Sequence, residues 1–479
     1  MTAHATARTV APAWGWRRPG AGRAAHVEPG MQYQGTTMQL CGLFPFVAGS
    51  GAPAVGVPIG RHMLWGEVVC LDPIEWVRVG LTTNPGVFVL GQPGVGKSTI
   101  AKRLATGMAA TGVRLLVLGD TKPDYTNLVA YLGGQIVRIG RGLDRINPLD
   151  AGPLGAALPH MRGADAEQLR LEVRGRRMAL LLALCALVRG RPVSNSEEVI
   201  LGRAVDLLTA RSTVDPTVPE VLRLVETGTD EMHAAARART DGEYRRRVDE
   251  LIPTLALLCE GALRGVFDGP TTRPVDLHAP AVCMDISRLA AAGDTLVAAA
   301  MLSIWSYGHA VVDAAAVLAD HQLVPRRQYL TVMDELWRAL RGSPGLVEHA
   351  DALTRLNRAK GMASMMITHS LADLEALPTA ADRAKAQGFV ERANIKILAG
   401  LPPKELDRVS QVVRLTTAER ELVASWSAPE AWLTGATHPG RGKYLIKTGE
   451  RPGLPVALSL VGDEWRLYDT DTAMRTGTP

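Results

Sequence analysis

The chain has few cysteines, and they do not cluster. Cys41, Cys70, Cys185, Cys259 and Cys283 are scattered over 479 residues, with no CxxC pair and no histidine at ligand spacing. That pattern argues against a zinc site and a disulfide framework, and predicts buried free thiols in a reducing compartment. Strong net charge is also missing. The 53 basic residues against 48 acidic leave +5, which permits contact with DNA or an anionic membrane surface without arguing for either. Residues 1–40 lack the apolar stretch of a secretory signal. They are rich in Ala, Gly, Pro and Arg and read as a disordered tail. The one long uncharged run, Thr295 to Val312, is about the minimum for a membrane span. It contains Ser303, Ser306, Gly308 and His309 and lies between Asp294 and Asp313, so it is read as a buried helix. No internal repeat is visible. The expectation is a soluble, cytoplasmic protein, with a peripheral place at the inner face of the cell membrane as the alternative.

What is present is a globular composition and one sharp motif. With 47% hydrophobic residues there is ample material for a core. Residues Gly91, Gln92, Pro93, Gly94, Val95, Gly96, Lys97, Ser98 and Thr99 contain GxxxxGK[ST], a loop that wraps the phosphates of a nucleoside triphosphate. Its flanks fit. Val87 to Leu90 is a short apolar run, as a buried strand should be, and Ile100, Leu104 and Met108 recur at helical spacing before Gly112. Strand, loop and helix together aim backbone N–H groups at a β-phosphate. Lys97 would reach the β- and γ-phosphates, and the Ser98 hydroxyl would sit on Mg²⁺. The ligand is read as ATP.

Strand-like runs recur at Val87–Leu90, Leu115–Leu118, Gln135–Ile139, Val282–Ile286, Tyr329–Met333, Met365–Ile367 and Ile395–Ala399, separated by helical patterns. Such alternation predicts an α/β fold with a mostly parallel sheet. Residues 41–84 read as a small β-rich segment packed on the main domain. Residues 85–155 and 270–428 read as two parts of one phosphate-loop domain, and 156–269 as an all-helical subdomain inserted between them. Residues 429–479 read as a terminal segment whose hairpin joins Lys443–Lys447 to Leu454–Leu460. The arginine clusters Arg174, Arg176, Arg177 and Arg245–Arg247 are interleaved with acids and read as solvated helix faces.

A second apolar strand, Leu330 to Met333, runs into Asp334-Glu335. Asp334 would hold Mg²⁺ through water, and Glu335 would polarise the attacking water. The strand Met365-Met366-Ile367 ends in Thr368-His369-Ser370, where Thr368 or His369 is placed to sense a γ-phosphate. Between them Arg355 and Arg358 fall on a probable helix, and one is a candidate to reach a neighbouring subunit's site.

Several strings resemble one family. DTKPDY (Asp120 to Tyr125) is similar to the D-P-K-G-D/E-Y element of the HerA–FtsK superfamily. INPLD (Ile146 to Asp150), MDELWRAL (Met333 to Leu340) and VCMDISRL (Val282 to Leu289) resemble elements of the type IV secretion ATPases of the TraC and VirB kind. The resemblance runs from about Val57 to the terminal hairpin. It implies a RecA-like domain with a helical insertion, assembling as a homo-hexamer that hydrolyses ATP to energise a conjugation apparatus and meets its membrane components. Two positions depart from the family. A Thr-Gln pair is usual where Thr368-His369 stands, and a long N-terminal docking domain is usual where about eighty residues precede the loop, so either another chain supplies docking or this protein does a different job with the same engine. A DNA-translocating ATPase of the same superfamily and a nucleotide-gated scaffold with little turnover are the competing readings.

Overall fold

The computed structural model describes residues 52–469 except 262, 292, 336, 338–339, 341–346, 348–359, 378 and 428–437. Eleven strands form one sheet: β1 Val57–His62, β2 Val68–Leu71, β3 Gly86–Leu90, β4 Arg114–Asp120, β5 Gln135–Arg138, β6 Ala281–Asp285, β7 Tyr329–Asp334, β8 Met362–Thr368, β9 Ile395–Leu398, β10 Lys443–Thr448 and β11 Leu454–Leu458. Their order is β2-β1-β11-β10-β9-β3-β8-β7-β4-β6-β5. From β9 to β5 every neighbouring pair is parallel. From β2 to β9 every pair is antiparallel.

The strand residues explain why helices cover both faces. In β3 all five residues are buried, and in β8 all seven are, the pattern of a strand with no solvated side. Side chains alternate along a strand, so the two faces take different residues. Phe88, Leu90, Leu116 and Leu118 enter one core, while Val87, Val89, Leu115 and Val117 enter the other. The second core receives Ile100, Leu104 and Met108 from the helix Lys97–Ala110. The first receives the helix Asp294–Asp320, whose Trp305 Nε1 donates to the Leu118 carbonyl at 3.2 Å. That helix is long and apolar enough to cross a membrane, but 94% of its most apolar stretch is buried in the fold.

Between β5 and β6 the described chain is helical, with principal helices Gly163–Arg189, Asn195–Arg211, Val218–Thr227 and Leu251–Cys259. Local chemistry sets their ends. Ser194 with Glu197 and Thr217 with Glu220 form capping boxes, and Gly190 and Gly228 close helices in the left-handed region at φ 74° and 63°. The arginines here divide in a way the sequence pattern did not show. Arg245–Arg247 are exposed, but Arg177 is buried and donates to the Leu149 carbonyl at 2.7 Å, while Arg176 pairs with Asp313. These two are internal ties from the insertion to the main body, because a buried guanidinium needs carbonyl and carboxylate partners.

The terminal hairpin forms as expected, joining β10 to β11, and the outer strands enter the main sheet. β1 and β2 do not pack on the main sheet as a separate piece. With the hairpin β10–β11 they continue that sheet beyond β9, through pairs such as Leu445 with Leu398 and Gly60 with Leu458. Strand patterns mark where a strand is; they say little about which distant edge it will pair with.

Close helix–sheet packing rests on a small residue at one point. A Cβ on Gly308 would lie 2.4 Å from Leu118 Cδ2, whereas a Cβ on exposed Gly175 would meet nothing within 4 Å. Gly308→Val should therefore lower unfolding stability by about 1–3 kcal/mol through overpacking. Gly175→Ala should raise it by about 0.5–1 kcal/mol through helix propensity. Urea denaturation of both variants checks the opposite signs.

Candidate functional site

The phosphate loop leaves the C-terminal end of β3, the central member of the block β9-β3-β8. Gly94 and Gly96 hold φ of 82° and 98°, a region that side-chain-bearing residues rarely enter. Neighbouring backbone pins the loop. Gln92 N donates to the Gly400 carbonyl at 3.1 Å, Gly442 N to the Val95 carbonyl at 3.2 Å, and Tyr444 Oη to the Gly96 carbonyl at 2.6 Å. Val95 is buried as the anchor. The helix Lys97–Ala110 then starts on Gly96 with no side-chain cap. Its first N–H groups are left for a ligand, as an anion site requires.

Register does the rest of the assembly. Leu90 lies beside Thr368 and Asp334 beside Ile367, so the ends of β3, β8 and β7 reach one edge, joined by Asp120 at the end of β4. A cavity of about 230 Å³ opens there, lined by Pro93, Gly94, Gly96–Thr99, Asp120–Lys122, Asp124, Asp334, Glu335, His369, Arg441 and Tyr468. Gly91 and Gln92 contribute their carbonyl oxygens, which accept from Lys97 Nζ at 2.7 and 3.0 Å. A larger, open groove of about 940 Å³ between helices of the insertion brings together no comparable set of groups.

Within the cavity the charged groups are joined in series. Lys97 Nζ lies 2.7 Å from His369 Nδ1, and His369 Nε2 lies 2.7 Å from Glu335 Oε1. An ammonium has only donors, so Nδ1 accepts and Nε2–H donates to the carboxylate. Lys122 Nζ donates to the same Glu335 oxygen at 2.9 Å. Burial works against charge on Glu335, but the bonds from His369 and Lys122 overcome it and hold the carboxyl down to about 2. Glu335 also sits at φ 54°, a strained position of the kind that collects at functional sites.

Asp334 is the counterpart. Burial first, then the charges of Glu335 and Asp124, push its carboxyl up to about 6, and Tyr125 Oη donates to it at 3.2 Å. Ser98 lines the same cavity, so hydroxyl and carboxylate oxygens face one space. That oxygen donor set fits Mg²⁺, which takes one or two protein oxygens with phosphates and water and would relieve the crowded acids. Lys97 is pushed down to about 8, chiefly by burial, with Asp334 and Glu335 opposing.

Of the two residues expected to sense phosphate, His369 lines the cavity. Thr368 is buried, with its hydroxyl donating to the Ser370 carbonyl at 3.4 Å. Arg355 and Arg358 lie outside the described residues. Lys122 and Arg441 also line the cavity, and Lys102 lies buried in the loop's helix with its Nζ 5.7 Å from the centre of the Tyr125 ring. Lys122 was legible in the string DTKPDY; Arg441 and Tyr468 had no local signal.

No family model matches the chain, and no curated protein matches it in sequence. Solved structures do match. VirB4 of Thermoanaerobacter pseudethanolicus aligns over 86% of this chain and 99% of its own, at 21% identity and a TM-score of 0.65. The unbound bacterial conjugative coupling protein TrwBΔN70 aligns over 86% of this chain and 91% of its own, at 12% identity and a TM-score of 0.50. This chain has the VirB4 fold. The mostly parallel, RecA-like α/β architecture expected from the motifs is thus the one observed. In this VirB4-like frame the cavity lies at the carboxyl ends of the parallel strands, where open α/β sheets bind ligands.

The low Lys97 value has a measurable consequence. Below about pH 8 the lysine is charged before ligand arrives; above it, the lysine must take up a proton to meet the phosphates. Affinity for ATP should therefore be flat below pH 8 and fall toward tenfold per unit above it. Calorimetric titrations from pH 7 to 9.5 in two buffers would show the fall together with proton uptake.

Proposed function

We propose that this chain is a Mg²⁺-dependent ATPase that powers a conjugative type IV secretion apparatus, acting as a homo-hexamer on the cytoplasmic side of the membrane. The observation that carries the reading is the convergence of Lys97, Asp334 and Glu335 on one cavity at adjoining strand ends. The secretion role rests on the family motifs together with a fold like that of VirB4.

The side chains divide the work. Backbone N–H groups of the loop and the Lys97 ammonium would hold the β- and γ-phosphates. Ser98 and Asp334 would hold Mg²⁺, which neutralises charge on the phosphate oxygens when bound. Glu335, kept ionised by its two donors, would orient water for attack on the γ-phosphorus, forming one P–O bond as the bond to the ADP oxygen breaks. Arrival of the γ-phosphate would draw Lys97 away from His369, so His369 would report occupancy to Glu335 through its other nitrogen.

Glu335→Gln should keep Mg-ATP binding and slow turnover by at least about a hundredfold. Unchanged turnover would remove Glu335 from the chemistry. Loss of binding without loss of fold would favour the scaffold reading. Salt-sensitive stimulation of the parent protein by DNA would favour the translocase reading.

The hexamer carries its own forecast. If Arg355 or Arg358 acts on a neighbour's nucleotide, replacing the one that acts by Ala should cost roughly a thousandfold in rate. Mixing that variant with Lys97→Ala chains should restore part of that rate, since a mixed interface pairs an intact loop with an intact arginine. Hydrolysis independent of protein concentration, with no rescue on mixing, would leave both arginines outside the site.

A further inference from the structure

Beside the phosphate cavity lies a second one, and neither Glu335 nor His369 lines it. It is a cavity of about 520 Å³ whose walls include Tyr444, Leu458, Leu460 and Trp465. Gly96, Thr99, Arg441 and Tyr468 are walls of both, so the two cavities adjoin. A triphosphate whose γ end faces Glu335 must send its nucleoside the other way, past Thr99. The volume suits it, since small-molecule sites run to about 300–1,000 Å³.

The lining has the chemistry of a base site. Leu458 and Leu460 are half-buried, the Tyr444 and Tyr468 rings are buried, and Trp465 stands at the mouth with 68% of its surface exposed. One exposed tryptophan on a protein surface would mean little. Here it flanks a slot with aromatic and leucine side chains beside the phosphate loop, and flat aromatic rings are what nucleobases stack upon. The slot is also held rigidly to the loop. Tyr444 Oη donates to the Gly96 carbonyl at 2.6 Å, and Tyr468 Oη donates to Thr106 Oγ1 at 2.7 Å, on the loop's own helix.

The geometry points to a nucleoside subsite built by the C-terminal hairpin and the short helix Glu464–Leu467, in which Trp465 stacks on the base. This rests on the phosphate-loop reading of the first cavity. Because stacking accepts any base, the subsite supplies affinity for the nucleoside rather than selection of one base.

Two ligands separate the two readings. In the full-length protein with Mg²⁺, binding of ATP and of inorganic tripolyphosphate is measured for the parent, Trp465→Ala and Trp465→Phe. Trp465→Ala should weaken ATP about tenfold, the size of a lost base–aromatic stack, and leave tripolyphosphate unchanged. Trp465→Phe should recover most of the loss, and ATP but not tripolyphosphate should quench the fluorescence assigned to Trp465 by difference from Trp465→Phe. Unchanged ATP affinity in Trp465→Ala, or equal weakening of both ligands, would overturn the subsite while leaving the phosphate loop standing. Failure of the parent to bind either ligand would overturn the phosphate-loop reading, and the subsite with it.

Discussion

The parallel ladder β9-β3-β8-β7-β4 is the constraint on which everything at this site depends. In a parallel sheet all strands point the same way, so their carboxyl ends share an edge. The phosphate loop, His369, Asp334-Glu335 and the Asp120–Tyr125 turn come from widely separated stretches of chain. They meet because Leu90 is in register with Thr368 and Asp334 with Ile367. A slip of one residue in any of these ladders would exchange the two cores as well as the site, since alternate residues face opposite layers. Burial on both faces therefore enforces the register that the chemistry needs.

Electrostatics imposes the second constraint. Asp120, Asp124, Asp334 and Glu335 crowd one cavity, and burial, reinforced by neighbouring acids, pushes Asp120 up to about 7 and Asp334 up to about 6. Glu335 escapes because it is the one that His369 and Lys122 bond directly. Neighbouring carboxyls are thus driven in opposite directions by their partners. One stays ionised, while its neighbour is left wanting a cation.

The parallel strands and the phosphate loop were legible because their signals are local: an apolar run of strand length, two glycines in a phosphate-binding spacing, and an apolar stripe at helical period. Asp334 and Glu335 were legible as the polar end of such a run. What the sequence hid depends on long-range pairing. Nothing near Lys443 says that β10 will add to β9, or that Tyr444 will then bond the Gly96 carbonyl. Nor does an arginine cluster reveal that Arg177 turns inward to Leu149 while Arg245 stays in water. Charge patterns describe a helix face only once its neighbours are known.

The histidine after β8 stands where the pattern its motifs resemble has a glutamine, and it meets the same physical requirement. The group at this position lies between an ammonium that can only donate and a carboxylate that can only accept. A glutamine amide, with one carbonyl oxygen and one NH₂, satisfies both neighbours. A neutral imidazole does the same, because one ring nitrogen accepts while the other donates. The exchange keeps the polarity of the link and shortens its freedom, since a planar ring fixes the direction of both bonds at once. An aliphatic residue there would leave Lys97 and Glu335 joined by nothing, and a lysine would offer Lys97 a second charge in place of an acceptor. The bipolar character of the side chain, more than its identity, is what this junction between Lys97 and Glu335 demands.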